Sequence, residues 1–201
     1  VYKRQQLDMA SIALTNEDLS ARAQQGRRVD IAGDFAIVGA PSGGKVAGAA
    51  VGAGDDQPGV AYSYQRNDQG TVDVSDDTWT LLQTLENADN DTDDFFGHGV
   101  AISDDASTIV VGAYDNNSDQ GDVYVYTHNS GTGQFDLEGR LRAATRTNDD
   151  EFGRQVDLSE DGSVLVVGMY GDDDSPVPGI DDGGSGSAHV YHHGGDWTSF
   201  F

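Results

Sequence analysis

Hydrophobic and polar residues in the middle of this chain form short runs that predict four strands. Apolar residues alternate with polar residues in the first and fourth runs, as in a half-buried strand. The second run is apolar without alternation, which is typical of a strand covered on both faces. Polar stretches rich in Asp separate the runs and favour tight turns. The predicted strands are 100–103, 108–113, 122–127 and 135–141.

The same pattern recurs on both sides of this central stretch. The glycines that begin the three copies are Gly26, Gly97 and Gly153. Leu14, Leu85 and Leu141 each lie 12 residues before one of these glycines, so the repeat persists despite insertions elsewhere. Four strands in a unit of about fifty residues indicate a propeller blade. The sequence therefore predicts an all-β fold, a partial β-propeller with about three four-stranded antiparallel blades.

The repeated residues resemble those of the FG-GAP repeat family. A Phe-Gly pair at 96–97 and again at 152–153 is followed by an apolar strand, a turn and the sequence VGA or VGM. The first copy departs from this pattern with Gln25 in place of Phe, and the third has Met169 in place of Ala. The family includes integrin α-chain propellers and many bacterial surface proteins, and its blades commonly close into seven-membered rings. The resemblance implies an extracellular or surface-displayed, non-catalytic module for binding or adhesion that presents loops to a protein or glycan.

The resemblance also suggests how the chain divides. We expect residues 1–6 to be a non-native tail, because they fit no repeat position, and residues 7–201 to belong to the propeller. A seven-bladed ring needs about 350–450 residues at the usual repeat length, so we expect this chain to be a fragment. The expected parts are an outer strand of a preceding blade at 7–14, blades at 26–85 and 97–141, and an incomplete blade at 153–201.

The charge of the chain narrows the choice of partner. The chain has 35 acidic and 11 basic residues, and its formal net charge is −24. Nucleic acid is therefore excluded as an expected partner, because phosphate binding needs a basic surface. No apolar run approaches the roughly 18–20 residues of a membrane span, so we expect no membrane insertion. The acidity itself fits either adaptation to salt or loops that bind divalent cations.

Two acidic segments are candidates for binding Ca²⁺, the only cofactor we expect. The candidate ligands are Asp89, Asp91 and Asp93 in one loop, and Asp157, Ser159 and Asp161 in another. Ca²⁺ takes six to eight oxygen ligands, and alternate acidic residues in a loop supply several. The first segment has no glycine for a sharp turn and no distal Glu, so a solvated acidic loop between blades is the alternative there. The second segment resembles the start of a calcium loop, and family resemblance implies such a loop between the first two strands of a blade. Leu165, however, stands where the family has a further acidic ligand, so a plain Asp-Gly hairpin turn is the alternative.

Residues 39–45 provide a competing functional hypothesis. They match the G-x-x-x-x-G-K pattern of a phosphate-binding loop after an apolar strand. Val46 follows where Ser or Thr should hold Mg²⁺, so we predict a glycine-rich loop between blade strands instead. The alternative functions are a nucleotide-binding protein that uses Lys45 and an accessory propeller of a secreted hydrolase.

Other repeated positions predict packing and a binding surface. The insertions at 41–58 and 171–185 both follow a second strand, and unequal loops at one repeat position indicate either a binding surface or disordered acidic surface loops. The five histidines form no metal or catalytic pattern, and we assign them structural roles and predict no catalytic residue. The tyrosines predicted to pack between neighbouring blades are Tyr62, Tyr64, Tyr124, Tyr126 and Tyr191.

Overall fold

The computed structural model shows three antiparallel sheets, each with four strands. It describes residues 24–42, 58–70, 76–87, 94–173, 184–194 and 197–200, and the predicted strand at 7–14 lies outside them. The first blade contains β1 (Val29–Ala32), β2 (Phe35–Ala40), β3 (Val60–Asn67) and β4 (Thr78–Glu86). The second contains β5 (Gly99–Ile102), β6 (Thr108–Ala113), β7 (Asp122–Asn129) and β8 (Gln134–Leu141), with the short helix α1 (Asn116–Asp119) between β6 and β7. The third contains β9 (Phe152–Leu158), β10 (Val164–Met169), β11 (Ser187–His193) and β12 (Trp197–Phe200).

Strand order within every sheet follows the sequence, so each blade is a simple meander. The predicted strand at 108–113 has the observed bounds of β6, and the other three predictions in the central copy overlap β5, β7 and β8. The glycine near the end of the second strand has the same cross-strand position in each blade. These pairs are Gly39 with Ala61, Gly112 with Val123, and Gly168 with Ala188. The all-β propeller prediction is confirmed.

The outer strands contain a β-bulge, so they do not follow the predicted alternation of apolar and polar residues. In the second blade, Val125 pairs with Gly139 but Tyr126 pairs with Leu137, so one residue of β8 has no partner. One extra residue turns the side chains that follow to the other face of the strand. Phe135, Leu137, Gly139 and Leu141 were predicted to share one face, but the bulge places Phe135 and Leu137 on the face opposite Leu141, where Phe135 is buried and Leu137 is half exposed. The first blade has the same bulge, which leaves Leu81 exposed.

The hydrophobic core lies between neighbouring blades. All six residues of β6 are buried, which confirms for the second blade that the second strand is covered on both faces, whereas Val166 in β10 of the third blade is 40% exposed. Each large side chain removed from water contributes about 1.5–3 kcal/mol, so these contacts dominate the stability of the blades. The five predicted tyrosines are all buried, and three lie in the two cores that join the blades, namely Tyr124 and Tyr126 in one and Tyr191 in the other.

Glycines form the closest contacts between blades. A Cβ atom on Gly39 would lie 1.9 Å from the carbonyl oxygen of Gly97, and one on Gly112 would lie 1.8 Å from that of Gly153. Such distances are far below van der Waals contact, so only glycine lets the two backbones approach this closely. In the first two blades, the glycine of the second strand therefore receives the turn at the Phe-Gly position of the next blade, which explains why the two motifs recur together.

Candidate functional site

One end of the three blades collects the residues that vary between the copies. We call it the FG end, because the Phe-Gly position of each blade lies there, at or just before the start of the first strand. Val29 near the start of β1 pairs with Val38 near the end of β2, so the loops that follow the second strands leave from the same end. The turns between first and second strands lie at the opposite end, which we call the hairpin end.

The turn that leads into each inner strand has one backbone conformation in all three blades. The glycine has a φ of 86°, 90° or 91°, and the residue two positions earlier has a φ of 52°, 51° or 56°. The glycines are Gly26, Gly97 and Gly153, and the earlier residues are Gln24, Phe95 and Glu151. Glycine adopts the left-handed region without the strain that a side chain causes. Because these turns match, the residue after each glycine occupies an equivalent place in its blade.

The three residues after these glycines form a row across the blades, which we call the basic row: Arg27, His98 and Arg154. The Nε and Nη2 atoms of Arg27 lie 3.4 and 3.3 Å from Nε2 of His98. On the other side, Nδ1 of His98 lies 3.2 Å from the carbonyl oxygen of Arg154. A carbonyl only accepts and a guanidinium only donates, so His98 carries its proton on Nδ1 and accepts at Nε2. The row is therefore one hydrogen-bonded chain through all three blades.

The environment of His98 keeps its imidazole neutral. The side chain is buried. Burial lowers the pKa of His98, and the positive charges of Arg27, Arg154 and Arg28 lower it further, against an opposing contribution from the bond to the Arg154 carbonyl. A neutral imidazole is also what the geometry requires, because a protonated ring would have no lone pair to accept from Arg27.

Aromatic rings surround the Arg154 end of the row. The guanidinium of Arg154 lies 5.2 Å from the ring centre of Tyr114 and 4.9 Å from that of Tyr170, within cation–π range. The Tyr114 ring also meets His98 edge to face at 4.7 Å and stacks on Phe95 at 5.2 Å. Tyr170 is 70% exposed, so an aromatic surface beside a held guanidinium is open to a partner.

An open cavity of about 480 Å³ lies beside Arg154 in the third blade. The cavity also borders Gly168, which has the place that Gly112 has in the second blade. There, the FG turn of the third blade fills the corresponding space. The side chains that line the cavity include Arg154, Met169, Tyr170, Ser185 and Ser187. Its walls thus offer a guanidinium, an aromatic ring and hydroxyl groups.

The predicted calcium segment at Asp157, Ser159 and Asp161 lies at the hairpin end. The carboxylate of Asp161 accepts bonds from Ser159 Oγ at 2.8 Å and from the Ser163 hydroxyl and amide at 2.7 and 3.0 Å. These bonds, the Ser163 hydroxyl first, lower the pKa of Asp161 to about 2. Asp157 instead accepts from the amide of Leu158. The three residues are therefore arranged as a hydrogen-bonded hairpin turn.

Some predicted site residues lie outside the part of the chain that the structure describes. They are Asp89, Asp91, Asp93 and Lys45, and most of the insertions at 41–58 and 171–185 lies there too. Within the described residues, no three His, Asp or Glu side chains come together as a metal site would require. The helices in that same part are too short and too polar to cross a membrane.

The sequence interpretation did not find the basic row. His98 shows no metal or catalytic spacing to the other histidines. The available signal was positional, because the residue directly after the Gly of each Phe-Gly position is Arg, His or Arg in a chain with few basic residues. Aligning the three copies on that glycine would have identified it.

Comparison with known proteins gives one family. The profile of the FG-GAP repeat matches residues 79–126 and 135–191, together more than half of the chain. No curated protein matches the chain. Among solved structures, the crystal structure of Sqt1 from Saccharomyces cerevisiae is similar with a TM-score of 0.48 and 9% sequence identity. That similarity covers 90% of this chain and 36% of Sqt1, so the chain spans about a third of that protein.

Proposed function

The chain belongs to the FG-GAP repeat family, and on that premise we propose that it is a non-catalytic binding module that holds a partner protein at its FG end. The observation that supports this proposal best is the basic row, in which matching turns join the side chains of Arg27 and His98 and the backbone carbonyl of Arg154 in a single hydrogen-bonded chain. A rigid scaffold that presents varied residues at one end is the usual arrangement of a recognition surface.

Two further observations favour the FG end over the hairpin end. The ring of Tyr170 lies beside the Arg154 guanidinium, and aromatic rings and arginine are enriched in protein-binding surfaces. At the hairpin end, the Asp161 carboxylate is already occupied by bonds inside its own turn. Binding rather than catalysis also fits His98, because both of its ring nitrogens have partners and neither is free to act as a base.

An extracellular or cell-surface setting is part of the proposal, because many members of the family work there. An antibody against the chain should label intact cells of the source organism. Labelling that needs permeabilised cells would contradict this part of the proposal and leave the binding role open.

The chain has no cysteine, so each end can be blocked selectively. A single cysteine at Ser185→Cys places a polyethylene glycol chain at the FG end, and Asp104→Cys places it at the hairpin end, where Asp104 is exposed. Partners would first be selected from a displayed library of secreted proteins and, separately, from a glycan array. We expect a protein partner whose binding is lost with the label at 185 and kept with the label at 104. Equal effects of the two labels, or partners only on the glycan array, would contradict the proposal.

A further inference from the structure

The arginines of this acidic protein differ in whether they have a carboxylate partner. Five of the seven in the described residues form an ion pair: Arg66 with Asp34 and Asp77, Arg140, Arg142 and Arg146 with Asp122, and Arg154 with Glu151. In that part of the chain, Arg27 and Arg28 have no carboxylate within 4.0 Å. With 35 acidic residues in the chain, this separation of two adjacent guanidinium groups from every described carboxylate needs an explanation.

Arg27 is held in place by a neutral group instead. Its Nε and Nη2 atoms donate to His98, a buried ring that is fixed on its other side by the Arg154 carbonyl. Arg27 itself is exposed. Its remaining N–H groups can therefore reach a partner while His98 limits the motion of the side chain. An ordered guanidinium loses less conformational entropy on binding than a free one.

We propose that Arg27 binds a carboxylate of the partner, so that the FG end recognises an acidic peptide segment. The inference rests on the proposed function, since it names the partner chemistry of the same end. A guanidinium donates two parallel bonds to a carboxylate, which makes such pairs short, directional and strong. Arg28 adds positive charge beside it, whereas the charge of Arg154 is offset by Glu151, and Tyr170 offers an aromatic surface at the Arg154 end of the row. His98 acts as a positioning residue, because it touches Arg27 and not the ligand.

The overall charge of −24 does not forbid this ligand. Charges separated by more than about 8 Å are largely screened at physiological ionic strength, so contacts within the site decide the binding. The same charge makes a positive result informative, because an acidic peptide has no general attraction to this protein. A basic peptide, in contrast, would bind anywhere on the surface.

The test uses a fluorescently labelled hexaglutamate peptide as the probe, with binding followed by anisotropy at neutral pH and about 0.15 M salt. We expect saturable binding to the whole chain and a loss of about tenfold or more in Arg27→Gln, as for a charge-assisted pair. Arg27→Lys should lie between the two, since it keeps the charge but not the fork. Arg66→Gln, which removes a partly buried, ion-paired arginine near the hairpin end, is the control and should bind as the wild type does.

His98 requires a separate pair of variants because its side chain is buried. His98→Gln retains an acceptor for Arg27 and should keep most of the affinity, whereas His98→Leu should lose it with a comparable melting temperature. Unlabelled inorganic phosphate serves as a competitor, and equal competition by phosphate and hexaglutamate per unit charge would overturn the preference for carboxylate. Unchanged binding by Arg27→Gln, or no saturable binding by the wild type, would overturn the inference. Absence of saturable binding would not decide the proposed function, which the comparison of labels at positions 185 and 104 tests separately.

Discussion

The hairpin end and the FG end are built from the same repeat but use their side chains differently. At the hairpin end, the second and third blades repeat one turn, in which a serine and an aspartate bond within the turn and to its backbone. The equivalent residues are Ser103, Asp105 and Ser107 in one blade and Ser159, Asp161 and Ser163 in the next. At the FG end, the backbone is equally regular, but the side chains differ and bond between blades.

The difference indicates which end contributes structure and which contributes recognition. Bonds that close within one turn stabilise that turn and leave few groups for a partner. Bonds that cross from blade to blade, such as Arg27 to His98, hold exposed groups in a fixed arrangement that no single repeat contains. Variation at that position changes the surface without changing the fold.

The largest expected effect comes from breaking the contact that positions the FG turns. In Gly112→Ala, the new Cβ would lie 1.8 Å from the carbonyl oxygen of Gly153, and backbone on both sides prevents relaxation. We expect a loss of about 3 kcal/mol or more in the free energy of unfolding. Gly139→Ala is the control, because no atom lies within 4 Å of its added Cβ. Urea unfolding followed by tryptophan fluorescence measures both, and equal midpoints would show that the close contact is not needed.

A smaller effect should come from one turn at the hairpin end. Asp105 accepts from Ser103 Oγ at 2.7 Å and from the Ser107 amide at 2.9 Å. Asp105→Ala should therefore cost about 1 kcal/mol while the NMR signals of His98 stay in place. The neighbouring Asp104→Ala should change stability by less than about 0.5 kcal/mol, since Asp104 is exposed. A shift of the His98 signals in Asp105→Ala would show that the two ends are coupled.

The two ends should also lose stability in different pH ranges. The folded pKa of His98 lies below its usual 6.5, so the unfolded state gains a proton first as the pH falls. The contribution of neutral His98 to the free energy of unfolding is complete above about pH 6.5 and is lost as the pH falls toward the lowered pKa. At the hairpin end, stability is lost only at lower pH, between about 3.8 and 2, because the pKa of Asp161 is lowered from 3.8 to about 2. Melting temperatures across pH should show the first loss in the wild type and not in His98→Gln, and its persistence in the variant would refute the assignment.

The smallest expected effect concerns Ca²⁺. If Asp89, Asp91 and Asp93 bind the ion, addition of Ca²⁺ should raise the melting temperature by about 2–4 °C, which corresponds to roughly 1 kcal/mol for a chain of this size. The rise should vanish when all three are replaced by Ala and persist in Asp161→Ala, because that carboxylate already accepts three bonds. No rise in the wild type would remove the calcium prediction.

Local pattern was sufficient to predict the strands but not their irregularities. The bounds of β6 followed from an apolar run between two turns, and three aligned copies confirmed it. The bulge that turns Leu137 away from the face of Leu141 was missed because a strict period of two has no place for an extra residue. In the hairpin of the second blade, Ala106 has the left-handed backbone conformation that was expected of an Asp or Gly. The equivalent residue in the third blade is Gly162, which has the same conformation.

The candidate site was harder to predict because it forms between repeats. The close approach of Gly39 to Gly97 and the bond from Arg27 to His98 both join residues about sixty to seventy positions apart, which no local motif can reveal. The segments that match the family model also cross from one blade to the next. Each begins in the outer strand of one blade and ends in the third strand of the following blade. The unit that repeats in sequence is therefore offset by one strand from the unit that folds.

The protonation of His98 tests most directly whether the three blades share one row at the FG end. Long-range proton–nitrogen NMR of the ring nitrogens at neutral pH should show a neutral imidazole with its proton on Nδ1. The Nε2 signal should then shift in Arg27→Gln and stay unchanged in Arg66→Gln. A protonated ring, a proton on Nε2, or an Nε2 signal that ignores Arg27 would contradict the account.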